Sequence, residues 1–448
     1  MRTPPPSEPR RVSLAQWLSW QETLHPRAID LGLERLRRTL SRLRWQRPSC
    51  PIITVAGTNG KGSTVALTAT ILREAGYRVG TFTSPHLLRY NERITIAGRE
   101  VSDDSLIAAF ERIDAARGAD TLTFFEFNAL AALLVFETAG LDAIVLEVGL
   151  GGRLDAVNAV DADVAVISSI ALDHCAWLGR DLETIGREKA GILRAGRPAI
   201  YGSRHMPASI QLIADALGAD LQRLGREFDW STGEQGWRWR GRRHERVDLP
   251  LPALAGEVQL DNAAAVLAVL ERLEDRLPVE QAAIERGLRQ VRLPGRFQVF
   301  RETLLPEGAG TGAASAAIEW VLDVAHNPAA ARTLAAQLRA RPGRGRTIAV
   351  CGILGDKDVE GILAELRECV DLWVVTALSG PRALDPRELA ARIERAGARD
   401  VHLAGDVASG CESAKALASA CDRIVVFGSF LTVAPALAWL QARGLSSR

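Results

Sequence analysis

Short apolar runs alternate along this chain with longer stretches of mixed character. That is the pattern of buried strands alternating with helices. Ile52 to Ala56 is an unbroken β-branched and aliphatic run, and residues 78–82, Leu141–Val148, Val164–Ile170 and Pro198–Tyr201 repeat the theme. Helices are predicted over Thr64–Ala75, within Thr123–Phe136 after an aromatic start, and over Asp181–Leu193, with Ser102 as the N-cap of another. Two amphipathic helices, Leu14–Leu24 and Leu31–Leu43, precede the first strand and are separated at His25-Pro26.

The pattern changes at Leu221–Leu251, where Trp230, Trp237 and Trp239 sit among arginines, glycines and aspartates. This stretch reads as short antiparallel strands appended to the sheet. Helices over Gln259–Leu273 and Val279–Val291 follow, and Leu293-Pro294-Gly295-Arg296-Phe297 reads as a boundary. Alternation then restarts, with strands at Trp320–Leu322, Thr347–Cys351, Leu372–Thr376 and Ile424–Phe427. Helices fall between them at Ala329–Arg339, Val359–Glu368 and Pro386–Ala396. The expected organisation is a disordered segment 1–10, a nucleotide-binding α/β domain over 11–293 and a smaller Rossmann-like α/β domain over 294–448. The loop around Glu307–Ala316 is rich in Gly and Ala and is expected to be mobile.

Composition narrows the class. The 448 residues exceed one ordinary core, and 47% hydrophobic with 24% charged content is that of a globular protein. A net charge of +1 gives no global footprint for nucleic acid, and Arg238–Arg246 reads as a solvated hairpin face. No apolar run approaches about 18 residues, so no membrane span is expected. The six cysteines are scattered without a CxxC pair, which argues against structural zinc and fits reduced thiols in the cytoplasm.

Candidate chemistry collects where strands end, the place ligands occupy in open parallel sheets. Gly57 to Ser63 follows a strand and opens a helix, a context in which backbone N–H groups, helix dipole and lysine hold phosphate. The spacing departs from the standard Walker loop, since Gly57 comes late and Gly62 stands between Lys61 and Ser63. Ser84 follows a strand, Glu147 closes an apolar one and His174 follows another. A carboxylate in an apolar strand needs a cation or hydrogen bonds, so Glu147 fits Mg²⁺ beside phosphates, or a salt bridge. His174 by itself fits a base, a ligand or a buried structural histidine. Lys189 by itself fits a surface lysine or a phosphate anchor. Asp323-Val324-Ala325-His326-Asn327-Pro328 puts three polar side chains past a second-domain strand, or marks a plain turn.

Together these motifs resemble the folylpolyglutamate synthase/dihydrofolate synthase family, within the Mur ligase superfamily. The resemblance is carried by Val55–Ser63 (VAGTNGKGS), Thr83–Leu87 (TSPHL), Phe124–Phe127 (FFEF), Glu147–Asn158 (EVGLGGRLDAVN), Leu172–His174 (LDH) and Arg187–Ile192 (REKAGI). It continues in Gly295–Phe297 (GRF), Asp323–Pro328 (DVAHNP), Gly352–Asp358 (GILGDKD) and Phe427–Ala434 (FGSFLTVA). The motifs run in family order over nearly the whole chain.

The resemblance implies a P-loop-type ATPase domain and a ligase using ATP, Mg²⁺ (two ions) and L-glutamate, with dihydropteroate or tetrahydrofolate as acceptor. It implies that Thr58, Asn59, Gly60, Lys61, Gly62 and Ser63, with Asn262, Arg296 and Asp323, contact ATP. Ser84, Glu147, His174 and a carbamylated Lys189 would ligate metal, and His326 and Ser429 would hold glutamate. The pterin would meet Ala28, Ile29, Asp30 and Leu31, Phe125, Glu126, Phe127 and Asn128, and Leu154, Asp155 and Ala156. Both phenylalanines also fit plain core packing. A monomer in the cytoplasm is expected, with neither nucleic acid nor membrane as partner. Two other readings stay open: a superfamily ligase for a UDP-linked acid acceptor, and a nucleotide-binding switch without turnover. The switch reading leaves Arg296, His326 and Lys189 without a shared purpose, and no NKxD motif supports it.

Overall fold

The computed structural model describes residues 11–303 and 317–447. The expectations for residues 1–10 and for the loop around 307–316 lie outside them. Seventeen strands are described. The first eleven are β1 (Ile52–Ala56), β2 (Val79–Phe82), β3 (Ile94–Ile96), β4 (Arg99–Glu100), β5 (Ala143–Glu147), β6 (Val164–Ile167), β7 (Pro198–Tyr201), β8 (Asp220–Arg223), β9 (Asp229–Gly233), β10 (Gly236–Arg240) and β11 (Glu245–Leu249). The remainder are β12 (Gln298–Thr303), β13 (Ala317–Leu322), β14 (Thr347–Cys351), β15 (Leu372–Thr376), β16 (Val401–Ala404) and β17 (Arg423–Phe427).

They form three sheets, ordered β4-β3-β2-β5-β1-β6-β7-β8, β11-β10-β9 and β12-β13-β17-β14-β15-β16. In the first, β2 through β8 run parallel across β5, β1, β6 and β7, and β3 and β4 add an antiparallel edge. Side chains alternate across β1. Ile52 and Ala56 join Phe82, Ile144 and Leu146 on one face, whereas Ile53 and Val55 join Val145, Val164 and Val166 on the other. Both faces are covered by helices, which is why these strands read as continuous apolar runs. The third sheet is likewise buried on two faces, with Ala349, Trp373 and Val425 on one and Ile348, Val374 and Ile424 on the other.

Several predicted elements shift. The second N-terminal helix is Glu34–Leu43 and begins three residues later than its apolar pattern suggested. The glycine loop is shorter than expected because the helix starts at Lys61 and runs to Glu74. The aromatic stretch is itself helical, Phe124–Glu137, because Thr123 and Glu126 form a capping box at its start. The tryptophan-rich segment is only partly antiparallel: β8 extends the main sheet in parallel with β7, and β9, β10 and β11 make a separate antiparallel sheet. The helix carrying Asn262 spans Glu257–Leu273, so Asn262 lies in its second turn. Strands β3, β4, β12 and β16 are short or mixed in polarity and gave no clear apolar run.

Candidate functional site

The site grows from β1, whose neighbours in the sheet are β5 and β6. The chain leaves β1 through Gly57–Gly60 and enters the helix Lys61–Glu74. Its first N–H groups, on Lys61, Gly62 and Ser63, have no acceptor within the helix. The loop is tied to the segment after β6. Thr58 N donates to Ser169 O at 2.7 Å, Ser168 Oγ to Asn59 O at 2.6 Å and Ser169 Oγ to Asn59 O at 3.0 Å. The glycines are required by this packing. A Cβ on Gly57 would stand 1.9 Å from Ser168 Oγ, and one on Gly60 (φ +87°) would stand 2.6 Å from Asn262 Oδ1.

A cavity of about 560 Å³ opens in front of the loop. Thr58 through Ser63, Ser84, Glu147, His174 and Lys189 line it from the first sheet, joined by Asn262 and Arg296. Asp323, His326 and Ser429 line it from the third sheet. Thr58 and Ser429, 371 positions apart in sequence, therefore share one cleft.

Its electrostatics are those of buried charge lacking full compensation. Glu147 pairs in register with Val55 on β1 and accepts from Ser84 N at 3.1 Å. Burial raises its proton affinity, and Lys61 opposes that rise. Lys61 is pulled down by burial despite Glu147, and its Nζ donates to Gly57 O at 3.1 Å and Thr58 O at 3.3 Å. Lys189 Nζ donates to Gly57 O at 2.8 Å, and burial together with the charge of Lys61 lowers its pKa to about 7. His174 sits at φ 52° as the residue before a short helix, and burial lowers its pKa to about 4, leaving a neutral imidazole. Among the described residues no three His, Cys, Asp or Glu side chains gather as a metal cluster. Glu147 and His174 are the only ligands of those types in the predicted set. The set nonetheless fits a divalent cation shared with phosphate oxygens: the buried Glu147 lacks a full counter-charge, and Mg²⁺ there takes one or two protein carboxylates.

Arg296 is buried, which lowers its pKa against the opposing charge of Asp323. Asp323 accepts from Phe297 N and Ala325 N, each at 2.8 Å, and so fixes the chain on both sides of the crossing between sheets. The Val324 carbonyl accepts from His326 Nδ1 at 2.8 Å, which orients the ring. Ser429 Oγ accepts from Leu431 N at 3.1 Å and caps the helix Phe430–Ala442.

The expected pterin residues do not line this cavity. Asp30 and Glu126 are joined by Arg35, which donates to Asp30 and to Glu126 Oε1 at 3.1 Å. Phe125 borders the cavity wall, since a Cβ on Gly149 would meet its ring at 2.5 Å. Asp155 accepts from Leu150 N at 2.8 Å and Val157 N at 3.1 Å, and burial raises its pKa to about 7. Phe127 and Asn128 differ. Phe127 is wholly buried against Trp17, Trp20 and Phe110, and Asn128 Oδ1 accepts from Tyr90 OH within the core, so their side chains pack rather than face a cleft. Sequence reading missed the contacts of Ser168, Ser169, Gln259, Asp173 and Lys357. Only the last two carried a signal, lying in the LDH and GILGDKD motifs.

Two α/β sheets enclosing a phosphate-type loop and a charged cleft define the architecture of a Mur-type ligase. Residues 55–201 match the Mur ligase middle domain, and residues 295–430 match the Mur ligase glutamate ligase domain. The dihydrofolate synthase/folylpolyglutamate synthase of Escherichia coli (strain K12) is 44% identical over 442 residues, 99% of this chain and 98% of its own length. The solved E. coli FolC in complex with DHPP and ADP superposes with a TM-score of 0.87 at 43% identity, covering 97% of this chain and 99% of that one. A bifunctional folylpolyglutamate synthase/dihydrofolate synthase with Mn, AMPPNP and L-glutamate bound gives a TM-score of 0.85 at 44% identity, covering 96% and 98%. The chain belongs to the dihydrofolate synthase/folylpolyglutamate synthase family of the Mur ligases. Among the described residues no helix is long and apolar enough to cross a membrane.

Proposed function

We propose that this cleft ligates L-glutamate to dihydropteroate, making dihydrofolate, and to tetrahydrofolate, extending its polyglutamate tail, at the expense of ATP. The observation that carries this reading is the single cavity lined both by the phosphate loop of the first sheet and by Asp323, His326 and Ser429 of the third. The third sheet lies within the match to a glutamate ligase domain. The separation of the two large sheets supports a division of the chain into domains over 11–293 and 294–448.

The acceptor carboxylate attacks the terminal phosphoryl group of ATP to give an acyl phosphate and ADP. The amine of glutamate then attacks the acyl carbon, and the tetrahedral intermediate loses inorganic phosphate to leave an amide. Such a transfer asks chiefly for positioning and for positive charge near the moving phosphoryl group. Lys61 and the N–H groups opening its helix hold the phosphates, with Arg296 arriving from the other side. Asn262, fixed by Gln259 at 3.0 Å, sets the loop from behind. Asp323 holds Arg296 in place through the neighbouring backbone. His326 and Ser429 hold glutamate, and Phe125, Asp30 and Asp155 border the pterin.

Two Mg²⁺ ions would be held by Ser84, Glu147, His174 and Lys189, and would supply positive charge that offsets that of the phosphates. Lys189 would serve as its carbamate: the amine attacks carbon dioxide, a C–N bond forms and a proton leaves. Its lowered pKa supplies the neutral amine this needs. The enzyme acts as a monomer on small molecules. The test is phosphate release: ATP hydrolysis should require both organic substrates together. Release with a UDP-linked acceptor but with neither pteroate nor folate would transfer the chain to another branch of the Mur ligases.

A further inference from the structure

The GILGDKD and LDH motifs meet across the cleft, and the chemistry above uses only His174 from them. Asp173 Oδ1 accepts from Lys357 Nζ at 2.6 Å, and Asp173 Oδ2 accepts from Asn327 Nδ2 at 3.1 Å. Asp173 Oδ2 also lies 3.4 Å from His326 Nε2. The side chains of Lys357 and Asp173 are 5% and 7% exposed, so water screens this pair little. Asn327 also exchanges two hydrogen bonds with Asn59 of the phosphate loop, at 3.0 and 3.2 Å. One carboxylate in the segment after β6 thus gathers Lys357, Asn327 and His326 from the third-sheet side, and Asn327 reaches the loop itself.

We propose that Lys357, Asp173 and Asn327 form a latch that docks the third sheet onto the phosphate loop, with Lys357 as a positioning residue. Lys357 neutralises Asp173, and Asp173 then orients Asn327 against Asn59 and His326 against the glutamate side of the cleft. Without Lys357 the buried carboxylate has no full counter-charge, and the contact it organises loosens. The kinetic part of the proposal rests on the ligase reading, and the docking itself does not.

The test uses the full chain, with Lys357→Met, Lys357→Arg and Asn327→Asp beside wild type. Asn327→Asp keeps an oxygen for the helix cap at Ala330 N but loses the donor and faces Asp173 with like charge. Small-angle X-ray scattering with ADP reads docking, and ligation at varied glutamate and ATP reads positioning. Lys357→Met should enlarge the radius of gyration and lower kcat/KM for glutamate about 100-fold, the size of effect a displacement of about 1 Å produces. The KM for ATP should change little, and Lys357→Arg should restore most of the loss. Asn327→Asp should scatter like Lys357→Met. Wild-type scattering in both of these variants overturns the latch, whatever the kinetics. If wild type itself forms no amide, the ligase reading fails while scattering still decides the latch.

Discussion

Replacing Gly60 by alanine tests the loop geometry with a magnitude set by the structure. Gly60 has φ +87°, where an L-residue with a Cβ costs roughly 1–2 kcal/mol. The new methyl would also stand 2.6 Å from Asn262 Oδ1. Asn262 is buried and held by Gln259, so moving it aside forfeits a hydrogen bond of about 1 kcal/mol. The total is about 2–3 kcal/mol, or roughly 30- to 150-fold in an equilibrium constant. That strain has two outlets. If the free protein keeps the loop as it is, stability falls. If the loop relaxes, nucleotide binding must restore it and affinity falls. The sum of the two losses equals the strain, so calorimetric titration with ADP and urea unfolding are measured together. Gly76→Ala is the control: it also has positive φ (+93°), but no atom lies within 4 Å of its added Cβ. It should lose about 1 kcal/mol of stability with ADP affinity intact. Gly60→Ala with wild-type stability and wild-type ADP affinity would show that neither the positive φ nor Asn262 constrains this position.

Three further outcomes are expected. Lys189→Ala should retain ADP binding while turnover falls by about 100-fold or more, since it removes a charged group beside the transferring phosphoryl; near-wild-type turnover would rule out the carbamate. Glu147→Gln should raise the Mg²⁺ concentration needed for half-maximal rate about tenfold at unchanged fold, and an unaltered magnesium titration would remove Glu147 from the ligand set. Arg35→Met breaks a charge-assisted link between Asp30 and Glu126 and should cost about 1–3 kcal/mol of stability, its partial exposure reducing the effect. It should also raise KM for the pteroate but not for ATP, and a rise in both would place its effect on the whole domain.

Elements with both faces buried were the most legible in the sequence. β1, β5, β6 and β7 read as apolar runs because helices cover the sheet on two sides, and β14, β15 and β17 did so for the same reason. β3, β4 and β16 sit at or near edges, where half-exposed side chains blur the pattern. The Phe124–Glu137 helix hid its start, because Thr123 and Glu126 set it through a cap rather than through periodicity. At the site, the glycine loop and the residues at strand ends were visible because chemistry collects there in parallel sheets. The reason for each glycine was not visible: Gly57 makes room for Ser168 and Gly60 for Asn262, contacts across 111 and 202 positions. The latch was equally hidden, since Asp173 and Lys357 are 184 positions apart and only the docking of two sheets makes them partners. Phe127 and Asn128 are the opposite case: the resemblance implied contact with the pterin, with core packing as the alternative for Phe127, and the helix turns both side chains into the core.

The most direct measurement is ATP-dependent incorporation of labelled L-glutamate, with dihydropteroate and with tetrahydrofolate offered in parallel. Product is expected with both acceptors, each dependent on ATP and Mg²⁺. Product with neither, in protein that still binds ADP, would rule out glutamate ligation to pteroate and folate in this cleft.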